Sequence, residues 1–364
     1  MKTRTVLFSG GGTAGHLYPA LTLAAALKKR DPRLQTLFVG TGRPVEREIL
    51  EKSGEPYITL RLKGLKGKGL SALKSLFLLP GALWKSLRIL RQVQPDLAVG
   101  MGGYSSGPVL LAASWKRIPA MIMEQNLHPG LTNRLLLPRV HKAVAAFEES
   151  LPEFKGKGVF LGNPVRDAFY ELPPKTRNEH LSLFIFGGSQ GSHFINKKMV
   201  ESLPLLKIFK NQLHISHQTG PDDLSWVEDG YRGAGFGDAQ IFSFSHDMPG
   251  QFQKTDLVMC RAGATTIAEL IAARKAAVLI PFSKASESHQ EQNARVLEKA
   301  GGALILREED FTVESFTETI ADFIHHPDKL NQMERNLESM RIQNPAERIA
   351  DLCFRLMSGK EKEK

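Results

Sequence analysis

Twice in this chain a β-rich apolar run breaks into a glycine turn and passes into a helical pattern. Val6-Leu7-Phe8 precedes Gly10-Gly11-Gly12-Thr13-Ala14-Gly15-His16, and Leu183-Phe184-Ile185-Phe186 precedes Gly187-Gly188-Ser189-Gln190-Gly191. Strand, glycine turn and helix in that order start a nucleotide-type α/β unit. Glycine lets the backbone come close to a phosphate or sugar, and the first N–H groups of the helix offer partial positive charge to an anion. Two such starts in 364 residues predict two similar domains, each large enough for its own core, facing one cleft.

The rest of the chain keeps the same rhythm. Thr5 to Ser9, Leu34 to Val39, Leu97 to Gly100 and Ala120 to Met123 read as buried strands, with helices over Pro19 to Arg30, Glu46 to Ser53, Leu73 to Gln92 and Pro108 to Lys116. Further strands follow at Leu183 to Phe186, Leu213 to Gln218, Ile241 to Phe244, Leu257 to Cys260, Ala277 to Ile280 and Ala303 to Leu306. Alternation of this kind is the pattern of an α/β fold with doubly wound parallel sheets. Pro164 disfavours helix at Asn163, so Gly162-Asn163-Pro164 is the expected hinge. Domains over 1–162 and 163–344 follow, with a last helix near 345–358.

Gly10-x-Gly12-x-x-Gly15 formally fits the dinucleotide fingerprint, which makes a nicotinamide enzyme the first rival. That fingerprint also needs an acid ending the second strand, where Leu37-Phe38-Val39 runs instead into Gly40-Thr41-Gly42. His16 enters the turn itself, where both a capping role and a chemical one are open to it. Pro19 is expected in the helix's first turn. More polar groups gather at carboxyl ends of strands, the edge where open α/β sheets bind ligands. They are Gly100 to Pro108 with Tyr104 and Ser105, Glu124-Gln125-Asn126, and Arg261-Ala262-Gly263-Ala264-Thr265-Thr266-x-x-Glu269. Gly263 to Thr266 could receive a diphosphate at a helix start. Gln290 and Asn293 are spaced to share a helical face.

Charge adds a second constraint. Among 48 basic and 38 acidic residues, no acid falls between Glu55 and Asp96, a window holding Lys66, Lys68, Lys74, Lys85 and four other cations among Leu76, Phe77, Leu79 and Trp84. Nucleic acid explains the cations but not the leucines, and no zinc-ligand spacing or RNA-binding signature accompanies them. An anionic bilayer surface explains both. So does an amphipathic helix with leucines inward and a solvated basic face, and the segment alone leaves both readings open. Cys260 and Cys353 are too few for a disulfide framework and fit a reducing cytoplasm. Nothing at the N-terminus reads as a signal peptide, and no run of apolar residues is long enough to span a membrane.

Six ordered segments, Gly10 to Ala20, Gly100 to Pro108, Glu124 to Asn133, Gly162 to Arg166, Gly187 to Ser192 and Arg261 to Asn293, together resemble the MurG family of peptidoglycan N-acetylglucosaminyltransferases over nearly the whole chain. The resemblance implies a GT-B fold whose last helix, Glu347 to Met357, crosses back to the N-terminal domain. It implies inverting transfer of N-acetylglucosamine from UDP-GlcNAc to the MurNAc C4 hydroxyl of undecaprenyl-diphospho-MurNAc-pentapeptide (lipid I), giving lipid II.

Carried over by position, the resemblance places the ribose on Glu269, phosphate on Ser189, the N–H groups of Gly188 to Gly191, Arg166, Thr265 and Thr266, sugar on Gln290 and Asn293, and uracil near Ser245. Thr13, Gly15, Asn126 and Ala264 join the donor set. Gly102, Gly103, Tyr104 and Ser105 line the acceptor side, with Leu76, Phe77, Leu79 and Trp84 towards the membrane. His16 is the implied general base and Glu124 its rival. No Asp-x-Asp occurs, so neither a metal nor another cofactor is expected, and helix starts with Arg166 carry the leaving diphosphate. Implied partners are UDP-GlcNAc, lipid I, an anionic membrane surface and cell-wall synthesis proteins, without nucleic acid, at the cytoplasmic face of the cell membrane. Met123 stands where the family often has His, His289 replaces a frequent polar neighbour of Gln290, and Ala272 to Lys275 lacks a common glycine. A related transferase with another lipid acceptor, such as diacylglycerol, and a non-catalytic membrane scaffold are the alternatives.

Overall fold

The computed structural model describes residues 3–11, 14–60, 70–173, 180–283 and 289–359, with the backbone alone at 14 and 70–79. They form two compact units, 3–165 with 342–359, and Arg166–Arg341. The first alternates β1 (Thr5–Ser9), α1 (Ala14–Arg30), β2 (Gln35–Gly40), α2 (Pro44–Ser53), β3 (Tyr57–Thr59), α3 (Leu70–Val93), β4 (Leu97–Gly100), α4 (Ser106–Trp115), β5 (Ala120–Glu124), α5 (Leu131–Leu136), β6 (Lys142–Ala145) and β7 (Gly158–Phe160). The second runs α6 (Asp167–Tyr170), β8 (Leu181–Phe186), α7 (His193–Leu206), β9 (Leu213–Gln218), α8 (Leu224–Gly233), β10 (Gln240–Phe242), α9 (Met248–Lys254), β11 (Leu257–Cys260), α10 (Ala264–Ala273), β12 (Ala277–Leu279), α11 (His289–Lys299), β13 (Ala303–Ile305), α12 (Val313–His325) and α13 (Asp328–Met340).

The strand orders are β3-β2-β1-β4-β5-β6-β7 and β10-β9-β8-β11-β12-β13, all parallel. Both sheets thus repeat the doubly wound order 3-2-1-4-5-6, in which the winding reverses between the first and fourth strands. Those strands are β1 and β4 in one unit, β8 and β11 in the other. All four glycine-containing turns noted in the sequence follow one of them. The ligand-binding edge of each sheet is therefore set by topology.

Parallel strands are covered on both faces, which is why Val6, Leu7 and Phe8 are all inaccessible. In the first unit alternate residues feed two cores: Val6, Phe8, Val99 and Met121 face one, Leu7, Ala98 and Ile122 the other. Helix α14 (Pro345–Met357) completes the former with Ile349, Cys353 and Leu356 at helical spacing. Arg30 of α1 ties it by ion pairs to Glu347, at 2.7 Å, and to Asp351.

Several boundaries differ from the sequence reading. Helix α1 begins at Ala14, so Pro19 lies inside it rather than in its first turn. Strands β3, β6 and β7, of three or four residues each, were not anticipated. The first unit passes into the second at Val165–Arg166, and Gly162, with φ +83°, packs on Ile342 of the first unit.

Candidate active site

In the first unit the turns after β1 and β4 pack back to back. Met101 N–H donates to Ser9 O at 2.7 Å, and Ser9 Oγ donates to Ser105 O at 3.0 Å. A Cβ on Gly103 would stand 2.8 Å from Gly11 O, and one on Gly10 would stand 2.7 Å from Met101 Cβ. Gly102 is equally constrained: its φ is +85°, and a Cβ there would approach His16 Nε2 to 3.4 Å. The imidazole of His16, half-buried on the first turn of α1, therefore lies against the turn after β4. Burial pushes its pKa below the ordinary value, while Glu124, Glu46 and a hydrogen bond with the Gly11 backbone pull it upwards. A neutral imidazole with carboxylates nearby is suited to taking a proton, because the carboxylates stabilise the imidazolium that forms.

Glu124 is differently occupied. It ends β5 almost fully buried, and four donors converge on it: Asn126 N–H at 3.0 Å and Asn126 Nδ2 at 3.1 Å on one oxygen, Gly130 N–H at 3.0 Å and Asn133 Nδ2 at 2.8 Å on the other. Acceptor capacity spent in this way holds the loop after β5. Ser105 is wholly buried, and Tyr104 is 42% exposed.

Glu46 was missed in the sequence. It is 1% exposed at the third position of α2, where it accepts from Thr41 Oγ1 at 2.8 Å, Gly42 N–H at 2.6 Å and Arg43 N–H at 3.1 Å. Its Oε1 lies beneath Gly11, 2.1 Å from where a Cβ would stand. The available signal was the helix-start pattern, a glycine turn and proline followed by Glu in the first turn.

In the second unit the turn after β8 is closed by Gly191 N–H donating to Gly188 O at 3.0 Å. That N–H thus bonds within the turn itself. Ser189 stays half-buried on the turn, and Gly191 has φ +74° with Thr219 O only 1.9 Å from a would-be Cβ. Ser192 caps α7, accepting from Ile195 N–H. The same hydroxyl lies 2.8 Å from Arg261 Nη2, which also pairs with Glu308 at 2.6 Å. Glu308 in turn accepts from the Ser283 backbone and hydroxyl. Arg261 and Glu308 thereby tie the turn after β8 to the loop before α11.

Helix α10 starts at Ala264 with Gly263 as its cap, so Ala264, Thr265 and Thr266 occupy its first turn. Glu269 sits one turn further in. Burial pushes its carboxyl up to about 7, with Arg166 pulling it down. These two sequence candidates, distant in the chain, are brought together in the second unit. On α11, Gln290 Oε1 accepts Phe282 N–H at 3.0 Å, and Asn293 is wholly buried. Asn293 thus has no exposed surface, and the Gln290 oxygen is engaged by the backbone. Ser245 N–H donates to Gln218 at 2.9 Å, so it too has a partner.

Thr13 and the side chains of Leu76, Phe77 and Leu79 lie outside the described residues. Trp84 is 62% exposed on α3, with the Arg88 guanidinium 5.9 Å from its ring. Ala82, Ile89 and Leu90 of the same helix enter the core. Among the described residues no helix is long and apolar enough to cross a membrane.

The geometry has close parallels in known proteins. Residues 6–145 match the glycosyltransferase family 28 N-terminal domain, and residues 182–352 match the glycosyltransferase family 28 C-terminal domain. Over 356 residues the chain is 44% identical to a protein of Myxococcus xanthus named UDP-N-acetylglucosamine--N-acetylmuramyl-(pentapeptide) pyrophosphoryl-undecaprenol N-acetylglucosamine transferase, covering 97% of this chain and 93% of the relative. The chain belongs to glycosyltransferase family 28, among its MurG members. A family member of the same name from Syntrophus aciditrophicus is 40% identical over 359 residues, covering 98% and 99% of the two chains. The crystal structure of Acinetobacter baumannii MurG superposes with a TM-score of 0.79 at 27% identity, covering 96% of this chain and 98% of that one. The two parallel-sheet units are accordingly those of the GT-B class. The N-terminal match lies within the first unit, and the C-terminal match covers most of the second and runs on into α14, with one turn pair in each match.

Proposed function

We infer that this chain is an inverting N-acetylglucosaminyltransferase that moves N-acetylglucosamine from UDP-GlcNAc to the MurNAc C4 hydroxyl of lipid I, giving lipid II. The observation that carries the reading is membership of the MurG group along almost the entire chain, with a pair of glycine-containing turns at the switch point of each unit. UDP release from UDP-GlcNAc, measured with and without a lipid I analogue, tests it. Release that depends on the analogue is expected. Release with a diacylglycerol acceptor instead, or UDP binding without release, would replace it by one of the alternatives.

In this reading His16 removes the proton from the acceptor hydroxyl as the sugar C1 becomes oxocarbenium-like, and attack opposite the UDP inverts the α-linked donor to a β-1,4 product. His16 is supported by its place against Gly102 and by its two nearby carboxylates. The second unit would hold the donor: the α10 start and Arg166 offset the charge growing on the diphosphate, Ser189 contacts phosphate and Glu269 accepts the ribose hydroxyls. Gln290 meets the sugar through its amide nitrogen, since its oxygen is engaged.

The acceptor's undecaprenyl chain resides in a bilayer, so the reading places the protein peripherally on the cytoplasmic face of the cell membrane. The exposed Trp84 on a helix with no acidic residue supports this. Trp84→Ser is expected to lower sedimentation with anionic vesicles a few-fold, sparing turnover of a water-soluble acceptor. Unchanged sedimentation would assign the basic face to solvent.

A further inference from the structure

Gln218 ends β9 at 2% exposure, at the ligand-binding edge of the second sheet, and its amide joins two loops remote in sequence. Its Nε2 donates to Gly188 O at 3.0 Å, and its Oε1 accepts Ser245 N–H at 2.9 Å. The orientation is fixed by its partners: a flipped amide would set N–H against N–H and oxygen against oxygen. Gly188 O also receives Gly191 N–H, so the glutamine bonds to the same carbonyl that closes the turn.

The strand end that carries Gln218 is held rigidly. Thr219 N–H donates to Phe242 O at 3.0 Å and Gly220 N–H to Ser243 O at 3.1 Å, continuing the β9–β10 ladder towards Ser245. Asn196 of α7 donates to Thr219 O at 2.8 Å and accepts at 3.0 Å from Nε2 of the buried His217, whose other nitrogen lies 3.1 Å from Tyr231 Oη. Gly191 and Gly220 lie face to face with no room for a side chain on either.

We propose that Gln218 is a positioning residue that fixes the spacing between the Gly188 turn, which holds the donor's diphosphate, and the Ser245 backbone, which holds its base. The proposal rests on the donor reading above. A ligand that spans both loops gains from a preset distance, because the ordering is done before it arrives. A ligand that reaches only one loop does not. Glutamate at this position would keep the bond from Ser245, but it would set an oxygen against Gly188 O and a negative charge beneath the diphosphate.

The test is calorimetric titration of UDP and of uridine into the full-length protein and its Gln218→Glu and Gln218→Met variants. For Gln218→Glu, UDP affinity is expected to fall about 10- to 100-fold, the range for a lost bond plus a repelled charge. Uridine affinity should fall less than about threefold. For Gln218→Met the UDP loss is about tenfold, again with uridine nearly unchanged, and KM for UDP-GlcNAc rises while kcat at saturating donor is kept. Equal losses for both ligands would make Gln218 merely structural. Unchanged UDP affinity, or tighter uridine binding through a released Ser245 N–H, would overturn the proposal as well. If Gln218→Glu does not fold, Gln218→Met decides alone. Failure of the wild-type protein to bind UDP would overturn the donor reading itself, an outcome separate from equal binding by wild type and variants.

Discussion

The two opening glycine turns share strand, turn, helix and place in the sheet, yet what lies behind them differs in charge. Behind Gly11 is the buried carboxylate of Glu46, and His16 feels both it and Glu124. Behind Gly188 and Gly191 are a neutral amide, Gln218, and a backbone carbonyl, Thr219 O, with the Arg261 guanidinium reaching the next residue, Ser192. An anionic backing favours a group that must acquire a proton, and it would repel a phosphate. An uncharged backing leaves the partial positive charge of a helix start undiminished. The same scaffold can thus be turned towards proton transfer or diphosphate binding by the residues one layer beneath it.

The sharpest way to break this contrast is at the turn that carries His16. His16→Ala is expected to lower turnover about 10²- to 10⁴-fold, the usual contribution of a general base, with UDP affinity unchanged by calorimetry. Turnover near wild type under chemistry-limited conditions would move the role to Glu124 in spite of its four donors.

A pair of glycine variants comes next. Gly191→Ala drives a Cβ into the Thr219 carbonyl at positive φ, and neither backbone can yield, so a loss of about 2 kcal/mol or more in stability and at least tenfold in UDP affinity is expected. Gly11→Ala meets the end of the Glu46 side chain, which can swing away. Its melting temperature should fall less than that of Gly191→Ala. Equal losses in thermal melts would mean that Glu46 is held as firmly as backbone.

Glu269 sharpens the donor side through pH. With its carboxyl raised from 4.5 to about 7, the folded protein retains a proton that the unfolded chain releases. That stabilisation is full below pH 4.5 and lost as pH rises through 7. Glu269→Gln should therefore flatten the fall in melting temperature between pH 5 and 8. Ribose hydroxyls donate to the ionised form, so wild-type UDP affinity should rise about tenfold from pH 6 to pH 8, and the variant should lose that rise. A flat wild-type profile would remove the carboxylate from ribose binding.

The smallest effect concerns the backing itself. Glu46→Gln removes one of the carboxylates that raise the His16 pKa, so the imidazole should titrate lower still, by a fraction of a unit in an NMR titration. An upward shift would show that the buried acid acts on His16 in some other way.

Much of this was legible in the chain. Val6 to Phe8 and Leu183 to Phe186 announce buried parallel strands because both faces must be apolar, and glycines directly after them announce the turns. Glu269 could be placed one turn inside its helix by counting. The strands over 57–59, 142–145 and 158–160 were not read, since Thr59, Lys142 and Gly158 break up the apolar run that marked equally short strands such as 277–279. Nor was the early start of α1, because an internal proline looks the same in sequence as one in the first turn.

What only the tertiary structure decided is which groups the turns rest upon. Sequence spacing speaks for neighbours along one helix or strand, and it set the fold class, the two-unit plan and the positions of the turns. It is silent about partners that meet through sheet order: Gln218 bridging Gly188 and Ser245, Arg261 joined to Glu308, Glu46 beneath Gly11, four donors converging on Glu124. Those pairings arise because parallel strands bring distant carboxyl ends to one edge. There, burial makes an unpartnered polar group costly, so most find a partner whatever its distance along the chain.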